Sequence, residues 1–303
     1  MNILICGASG FVGQALVKTL KDEHTLTLLG RNINKLKKTF GDDQPCMSWN
    51  DLSCETLKTF DTVINLAGEN IGDKRWSSAR KKAILQSRVS TTQQLATLCA
   101  SLGEHSPRLL NTSAIGIYGL SSDTVFNEHS TLPNPPRDFL SEVGQTWEAA
   151  LKPAIKARVN VVIMRFAVVL SPEGGAMKKL LPSFKLGFGA VLGSGQQAFS
   201  WIALEDLTRA ISFLLNHPEQ RGVFNLVADD VVTQKQFAQT LAGALHRPCF
   251  MHMPASVVKG LFGQMGEELL LQGQRVKNTR LASTGFNFKY PTLNEAFEDF
   301  FNQ

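Results

Sequence analysis

Three glycines spaced three apart, Gly7, Gly10 and Gly13, separate a short β-rich run (Asn2 to Cys6) from an amphipathic segment. In that segment Ala15, Leu16, Val17 and Leu20 recur at helical spacing. Strand, glycine turn and helix in immediate succession deliver a pyrophosphate to the positive end of a helix. Gly7 permits the tight turn, Gly10 lets the backbone approach the phosphates, and Gly13 lets the helix lie close on the strand. An ordinary βα turn can also carry glycines, but here strand and helix stand where a dinucleotide site requires them.

The second strand pattern, Thr25 to Leu29, ends in Gly30-Arg31-Asn32. A site for the non-phosphorylated dinucleotide usually has Asp or Glu at this point, to accept from the ribose 2′-hydroxyl. No acid is there. Arg31 is permanently charged and donates two parallel hydrogen bonds, which suits a 2′-phosphate. The sequence therefore predicts NADP(H) in preference to NAD(H), the plain alternative being a solvated arginine at a helix start.

Strand patterns at 2–6, 25–29, 46–49, 62–66, 108–113 and 159–165 alternate with helical patterns near 11–21, 76–101 and 138–156. This alternation predicts a Rossmann-type, doubly wound parallel α/β sheet with helices on both faces. Ligands in such sheets bind at the carboxyl ends of the strands. Gly7, Arg31, Ala67-Gly68 and Ser113 all fall at such ends. Residues 1–170 are expected to form the nucleotide-binding domain, with 203–228 returning to it. Residues 171–202 and 229–303 are expected to form a smaller C-terminal α/β lobe on the substrate side, in which the glycine- and proline-rich stretch 171–200 reads as irregular loop. Further patterns predict helices at 204–216 and 234–246 and strands at 223–227 and 249–252.

Composition narrows the function. The 43% hydrophobic and 19% charged content suits a globular protein. The longest apolar run, Val159 to Leu170, is broken by Arg165 and is too short for a bilayer. With no basic leader or cleavage pattern at the N-terminus, a cytoplasmic location is expected. Five widely spaced cysteines without a Cys-x-x-Cys pair point to reduced thiols and to no zinc site. The net charge of +5 is concentrated at Lys74, Arg75, Arg80, Lys81, Lys82 and Arg88. No aromatic residues interleave there to stack bases, so nucleic acid is not expected as a partner. A phosphate-bearing small molecule is the simpler use of the charge.

Together the glycine motif, Asn65-Leu66-Ala67-Gly68, Thr112-Ser113-Ala114, Tyr118-Gly119 and the segment Arg165 to Leu170 resemble the extended short-chain dehydrogenase/reductase superfamily. More narrowly the chain resembles its "epimerase family" branch with a C-terminal domain of unknown function. That resemblance rests on Ala67-Gly68-Glu69-Asn70-Ile71, Lys74-Arg75-Trp76, Gln86-Ser87-Arg88, Gly193-Ser194-Gly195-x-Gln197, Ser200-Trp201-Ile202 and Leu271-x-Gly273-Gln274-Arg275. It covers essentially the whole chain. It implies that Gly7, Ser9, Gly10, Phe11, Val12 and Gly13 cradle the pyrophosphate and that Gly30 and Arg31 surround the 2′-phosphate. Leu66, Ala67, Gly68 and Glu69 would line the adenosine path, Arg88 would face the cofactor from its helix, and Val168 and Val169 would approach the nicotinamide. Arg88 as a surface ion-pair residue stays open. Ala203 stands where relatives tend to carry His, and Lys277-Asn278-Thr279 where they tend to carry Pro.

The superfamily's chemistry rests on a Tyr followed four residues later by Lys, which lowers the phenol's pKa. Tyr118 is followed at that spacing by Ser122 and Tyr290 by Asn294, so the pair is absent. The segment that should carry it reads Phe139-Leu140-Ser141-Glu142-Val143-Gly144, with Trp147-Glu148 after it. Ser113 polarising a carbonyl and Tyr118 offering a hydroxyl at the site mouth are the remaining catalytic candidates, against a packed aromatic for Tyr118. Glu69 is a spare carboxylate or an ordinary loop acid. Two functions follow: an NADP(H)-dependent oxidoreductase or isomerase on a small carbonyl or hydroxyl substrate, or a non-catalytic NADP(H)-dependent sensor or interaction module. Residues 180–201, with Phe184 and Trp201, suggest either an apolar pocket wall, for a small and largely apolar or aromatic substrate rather than a nucleotide sugar, or a seal between lobe and sheet. Oligomeric state is left open between monomer and homodimer.

Overall fold

The alternating patterns become seven strands of one parallel sheet in the computed structural model, which describes residues 1–301. In chain order the strands are β1 (Asn2–Cys6), β2 (Thr25–Gly30), β3 (Cys46–Ser48), β4 (Thr62–Asn65), β5 (Arg108–Ala114), β6 (Val161–Phe166) and β7 (Gly222–Leu226). They lie side by side as β7-β6-β5-β4-β1-β2-β3, all parallel. The chain reverses its direction of travel between β1 and β4, and a crevice opens outside the carboxyl ends at such a point.

Alternate residues of the strands feed two cores, one on each face. Ile3, Ile5, Leu28, Ile64, Leu110 and Met164 enter one. Leu4, Cys6, Leu29, Val63, Leu109 and Ile163 enter the other. Burial on both faces is why these strands read as continuous apolar runs. The helices of eight residues or more are α1 (Phe11–Leu20), α2 (Ile33–Phe40), α3 (Ser78–Leu102), α4 (Phe139–Ala149), α5 (Gly175–Lys185), α6 (Leu204–Asn216), α7 (Gln234–Ala244), α8 (Ala255–Gly266) and α9 (Leu293–Phe301). Their starts follow capping chemistry. Asn32, Ser77 and Asp138 each accept a backbone N–H from the first turn of α2, α3 and α4.

A third core joins α5, α7 and α9 through Met177, Leu181, Phe184, Trp201, Phe237, Leu241 and Phe297. Here the structure corrects the reading of 171–200 as loop. Eleven residues form α5 despite Pro182, because Met177, Leu181 and Phe184 fall on one face and bury together. Ala190–Leu192 pairs in parallel with Met251–Met253, and Val168–Ser171 with Trp201–Ala203. Among the described residues no helix is long and apolar enough to cross a membrane, and no cluster of His, Cys, Asp and Glu is arranged to hold a metal ion.

Candidate functional site

At the end of β1 the glycines are required one by one. Gly7 has φ +79°, and a Cβ there would stand 2.7 Å from the Leu66 carbonyl carbon and 2.9 Å from the Ala67 nitrogen. The ends of β1 and β4 therefore touch, bringing Gly7, Leu66, Ala67 and Gly68 together. At Gly13 a Cβ would stand 2.4 Å from the Gly7 oxygen and 2.6 Å from that of Ala8. No side chain fits between helix and strand at that point. Gly10 is exposed at the mouth of α1, Ser9 and Val12 flank it half-buried, and no side chain caps the helix. Open backbone at a helix N-terminus is the physical form of an anion cradle.

At the adjoining edge, Arg31 extends from the end of β2 with its side chain 81% exposed and a long contact of 3.4 Å to Glu69. Leu36 of α2 packs against Gly30, where a Cβ would meet its side chain at 2.9 Å. The other oxygen of Glu69 accepts from Arg80 at 3.0 Å. Arg80 also donates to the carbonyl of Asn70, and its buried Nε has no hydrogen-bond partner. Hydrogen bonding from Arg80, then from Arg31, holds the Glu69 carboxyl below the usual carboxylate range despite partial burial. Arg88 neither stands free nor forms an ion pair. It donates to the carbonyls of Glu69 and Ile84, both at 3.0 Å, and stacks 5.1 Å from the Trp147 ring. Burial, with the charge of Arg80 acting in the same sense, pulls Arg88 down to about 10.

Beneath this loop lies a buried polar cluster the sequence reading missed. Asn65 donates to Thr92 (3.1 Å) and Asn111 (2.7 Å), and its Oδ1 accepts from the Ala67 N–H at 3.2 Å. Trp147 donates to Thr92 at 2.9 Å. These bonds fix the turn at Ala67-Gly68 to three elements at once.

The ends of β5, β6 and β7 place the two catalytic candidates, Ser113 and Tyr118, in one buried network. Ser113 is 1% exposed, and its hydroxyl donates to Glu148 at 2.6 Å. Glu148 receives Arg165 through two parallel bonds of 2.8 and 2.7 Å. The third Arg165 nitrogen donates to Tyr118 at 2.8 Å, and the Tyr118 hydroxyl donates to Asn225 at 2.8 Å. Tyr118 is fully buried and stacked on Phe126, so it offers no hydroxyl at the site mouth. Its cationic neighbour is Arg165, yet burial outweighs that charge and pushes the phenol above its ordinary value. For Arg165 burial opposes the charge, and hydrogen bonding to Glu148 more than offsets it. Where the missing Tyr and Lys would stand, α4 lies tight on the chain after β5. A Cβ at Gly144 would meet Ile117 at 2.7 Å, and one at Gly116 would meet Leu140 at 3.1 Å.

The rest of the crevice is roofed by the C-terminal segments. Phe11 packs on Gly174 and Gly175, where a Cβ at Gly174 would stand 2.3 Å from its ring. Lys179 of α5 reaches across to the Gly72 carbonyl (2.7 Å) and Asp73 (3.0 Å). Lys81 of α3 donates to Gln264 of α8 at 2.9 Å. Val168 is 37% exposed and Val169 half-buried. Trp201 and Phe184, expected either at a pocket wall or as a seal, are 0% and 4% exposed and belong to the third core. A cleft of about 470 Å³ is instead polar, lined by Leu120, Arg137, Asp138, Gln264, Glu268 and their neighbours. Within it Glu268 accepts from the Leu140 N–H at 3.2 Å, and burial raises its carboxyl above the usual range.

The model of the NAD dependent epimerase/dehydratase family matches residues 3–226, and that of a domain of unknown function, DUF1731, matches 253–300. The chain is 36% identical over 299 residues to the epimerase family protein Mb2239 of Mycobacterium bovis, covering 97% of this chain and 95% of that one. It is 37% identical over 303 residues to the epimerase family protein SERP0438 of Staphylococcus epidermidis, covering 98% and 97%. Among solved structures it is similar to human epimerase family protein SDR39U1 (isoform 2) crystallised with NADPH, with a TM-score of 0.90, 33% identity and full coverage of both chains. The chain therefore belongs to the NAD dependent epimerase/dehydratase family, in the branch that carries the DUF1731 domain.

Proposed function

We propose that this chain binds NADP(H) in the crevice at the strand ends and serves as a dinucleotide-responsive protein, with the C-terminal lobe roofing the bound cofactor. Gly7, Ser9, Gly10, Phe11, Val12 and Gly13 hold the pyrophosphate, with Leu66 to Gly68 along the adenosine and Val168 and Val169 near the nicotinamide. Arg31 takes the 2′-phosphate, and the NADPH in the human relative supports that choice. One observation carries the responsive reading. Ser113 and Tyr118, the two hydroxyls expected to do chemistry, are engaged by the buried Glu148–Arg165 network, and α4 lies tight on Gly116 and Ile117 with no Tyr–Lys pair on it.

A second reading, an oxidoreductase or isomerase on a small carbonyl or hydroxyl compound, draws on the polar cleft and on Glu268, whose raised carboxyl keeps its proton closer to neutral pH. Bound NADPH would supply the hydride. The two readings separate in one assay: NADPH-loaded protein offered a panel of ketones, quinones and nucleotide sugars. The responsive reading predicts no substrate-dependent loss of absorbance at the reduced nicotinamide band. It also predicts slower hydrogen exchange in residues 171–202 and 229–301 on adding NADPH. Turnover abolished by Glu268→Gln or Ser113→Ala would overturn it.

A further inference from the structure

The edge where β2, β4 and α3 meet holds more positive charge than it neutralises. Arg31 and Arg80 grip the two oxygens of the Glu69 carboxylate, and Arg88 donates to the Glu69 carbonyl close by. Two guanidinium groups thus hold one carboxylate, with a third on the backbone carbonyl of the same residue. The first turn of α3 adds Arg80 and no acid, although a helix N-terminus favours negative charge. Arg80 also buries an Nε with no partner, an unused donor beside the carboxylate. Among the described residues Arg31 makes the long contact to Glu69, and its side chain is 81% exposed. A phosphomonoester carries nearly two negative charges at neutral pH, which matches the excess at this edge.

Resting on the reading that Arg31 takes a 2′-phosphate, we infer that Glu69 is the internal anion that this phosphate displaces. Arg80 is then the second cation of the phosphate site and sets where Glu69 sits. Without nucleotide, Glu69 bridges the two arginines. When the phosphate arrives, the long Arg31–Glu69 contact breaks and Arg80 retains the carboxylate, screening it from the phosphate. Glu69 thereby limits the discrimination between phosphorylated and non-phosphorylated dinucleotides. NADH, lacking the phosphate, leaves the bridge intact.

The test is calorimetric titration of NADPH and NADH into the full chain and into Glu69→Gln and Arg80→Ala. The ratio of the two affinities, measured on one preparation, cancels any loss of folded protein. Removing the competing charge should tighten NADPH on the order of threefold to tenfold, while NADH changes less than about twofold. Arg80→Ala leaves Glu69 against Arg31 alone and should weaken NADPH by about tenfold, again with little effect on NADH. If the unaltered protein does not prefer NADPH, the phosphate reading itself fails and this inference with it. If it prefers NADPH but Glu69→Gln leaves the ratio unchanged or lowers it, or weakens both nucleotides alike, the inference alone is overturned.

Discussion

The two halves of the crevice are built from different materials. Around β1 and β4 the site is backbone: glycines without room for a Cβ, an uncapped helix start, and a turn pinned by Asn65. Around β5, β6 and β7 it is side chain, a network running from Ser113 through Glu148, Arg165 and Tyr118 to Asn225. The first half retains what dinucleotide binding needs. In the second, the hydroxyls of Ser113 and Tyr118 are engaged by Glu148, Arg165 and Asn225. On the proposed reading, binding and chemistry part company within one fold, because they rest on separate strand ends.

That contrast predicts where substitutions are felt. The largest effect should come from Glu148→Ala, which leaves Arg165 charged and unpaired among side chains only 5% and 12% exposed. Stripping one partner from a buried pair costs about 3–5 kcal/mol. Chemical denaturation should show that loss, while NADPH affinity of the folded fraction stays unchanged. Affinity falling as steeply as stability would erase the division between the halves. Arg31→Ala should behave in the opposite way. Losing a charge-assisted contact costs about 1.5–3 kcal/mol, roughly tenfold to a hundredfold in NADPH affinity. Unfolding should be unmoved, since the side chain is 81% exposed.

Gly13→Ala joins both halves of the argument, because its Cβ would press on the carbonyls of Gly7 and Ala8. Overpacking of this kind costs about 1–3 kcal/mol, and here it also shifts the phosphate cradle, so stability and binding of either dinucleotide should fall together. Tyr118→Phe should be the mildest. It removes one acceptor from Arg165 and one donor to Asn225, for about 0.5–1.5 kcal/mol of stability. Dinucleotide affinity should not change, and a selective loss of affinity would return Tyr118 to the binding site.

The sequence made the first half legible because glycine acts through what it lacks: spacing alone says where backbone must come close. The doubly wound parallel sheet followed from the alternation of strand and helix patterns. The second half was opaque for a physical reason. Ser113 and Arg165 meet only because β5 and β6 pair in that register, and Glu148 reaches both from α4. A serine and a tyrosine at a strand end read identically whether they face a substrate or an arginine. Phe184 and Trp201 stayed open between two readings in the same way, since an apolar pocket wall and a core share one composition. Helix α5 was hidden by glycines and Pro182, although Met177, Leu181 and Phe184 carried the helical period.

The account turns on a crevice that still reads a dinucleotide and tells the phosphorylated form apart by the charge at the end of β2. Calorimetric titration of the unaltered protein with NADPH and with NADH addresses that claim directly. Tighter binding of NADPH, by about tenfold or more, is the predicted result. Equal affinities for the two would contradict it.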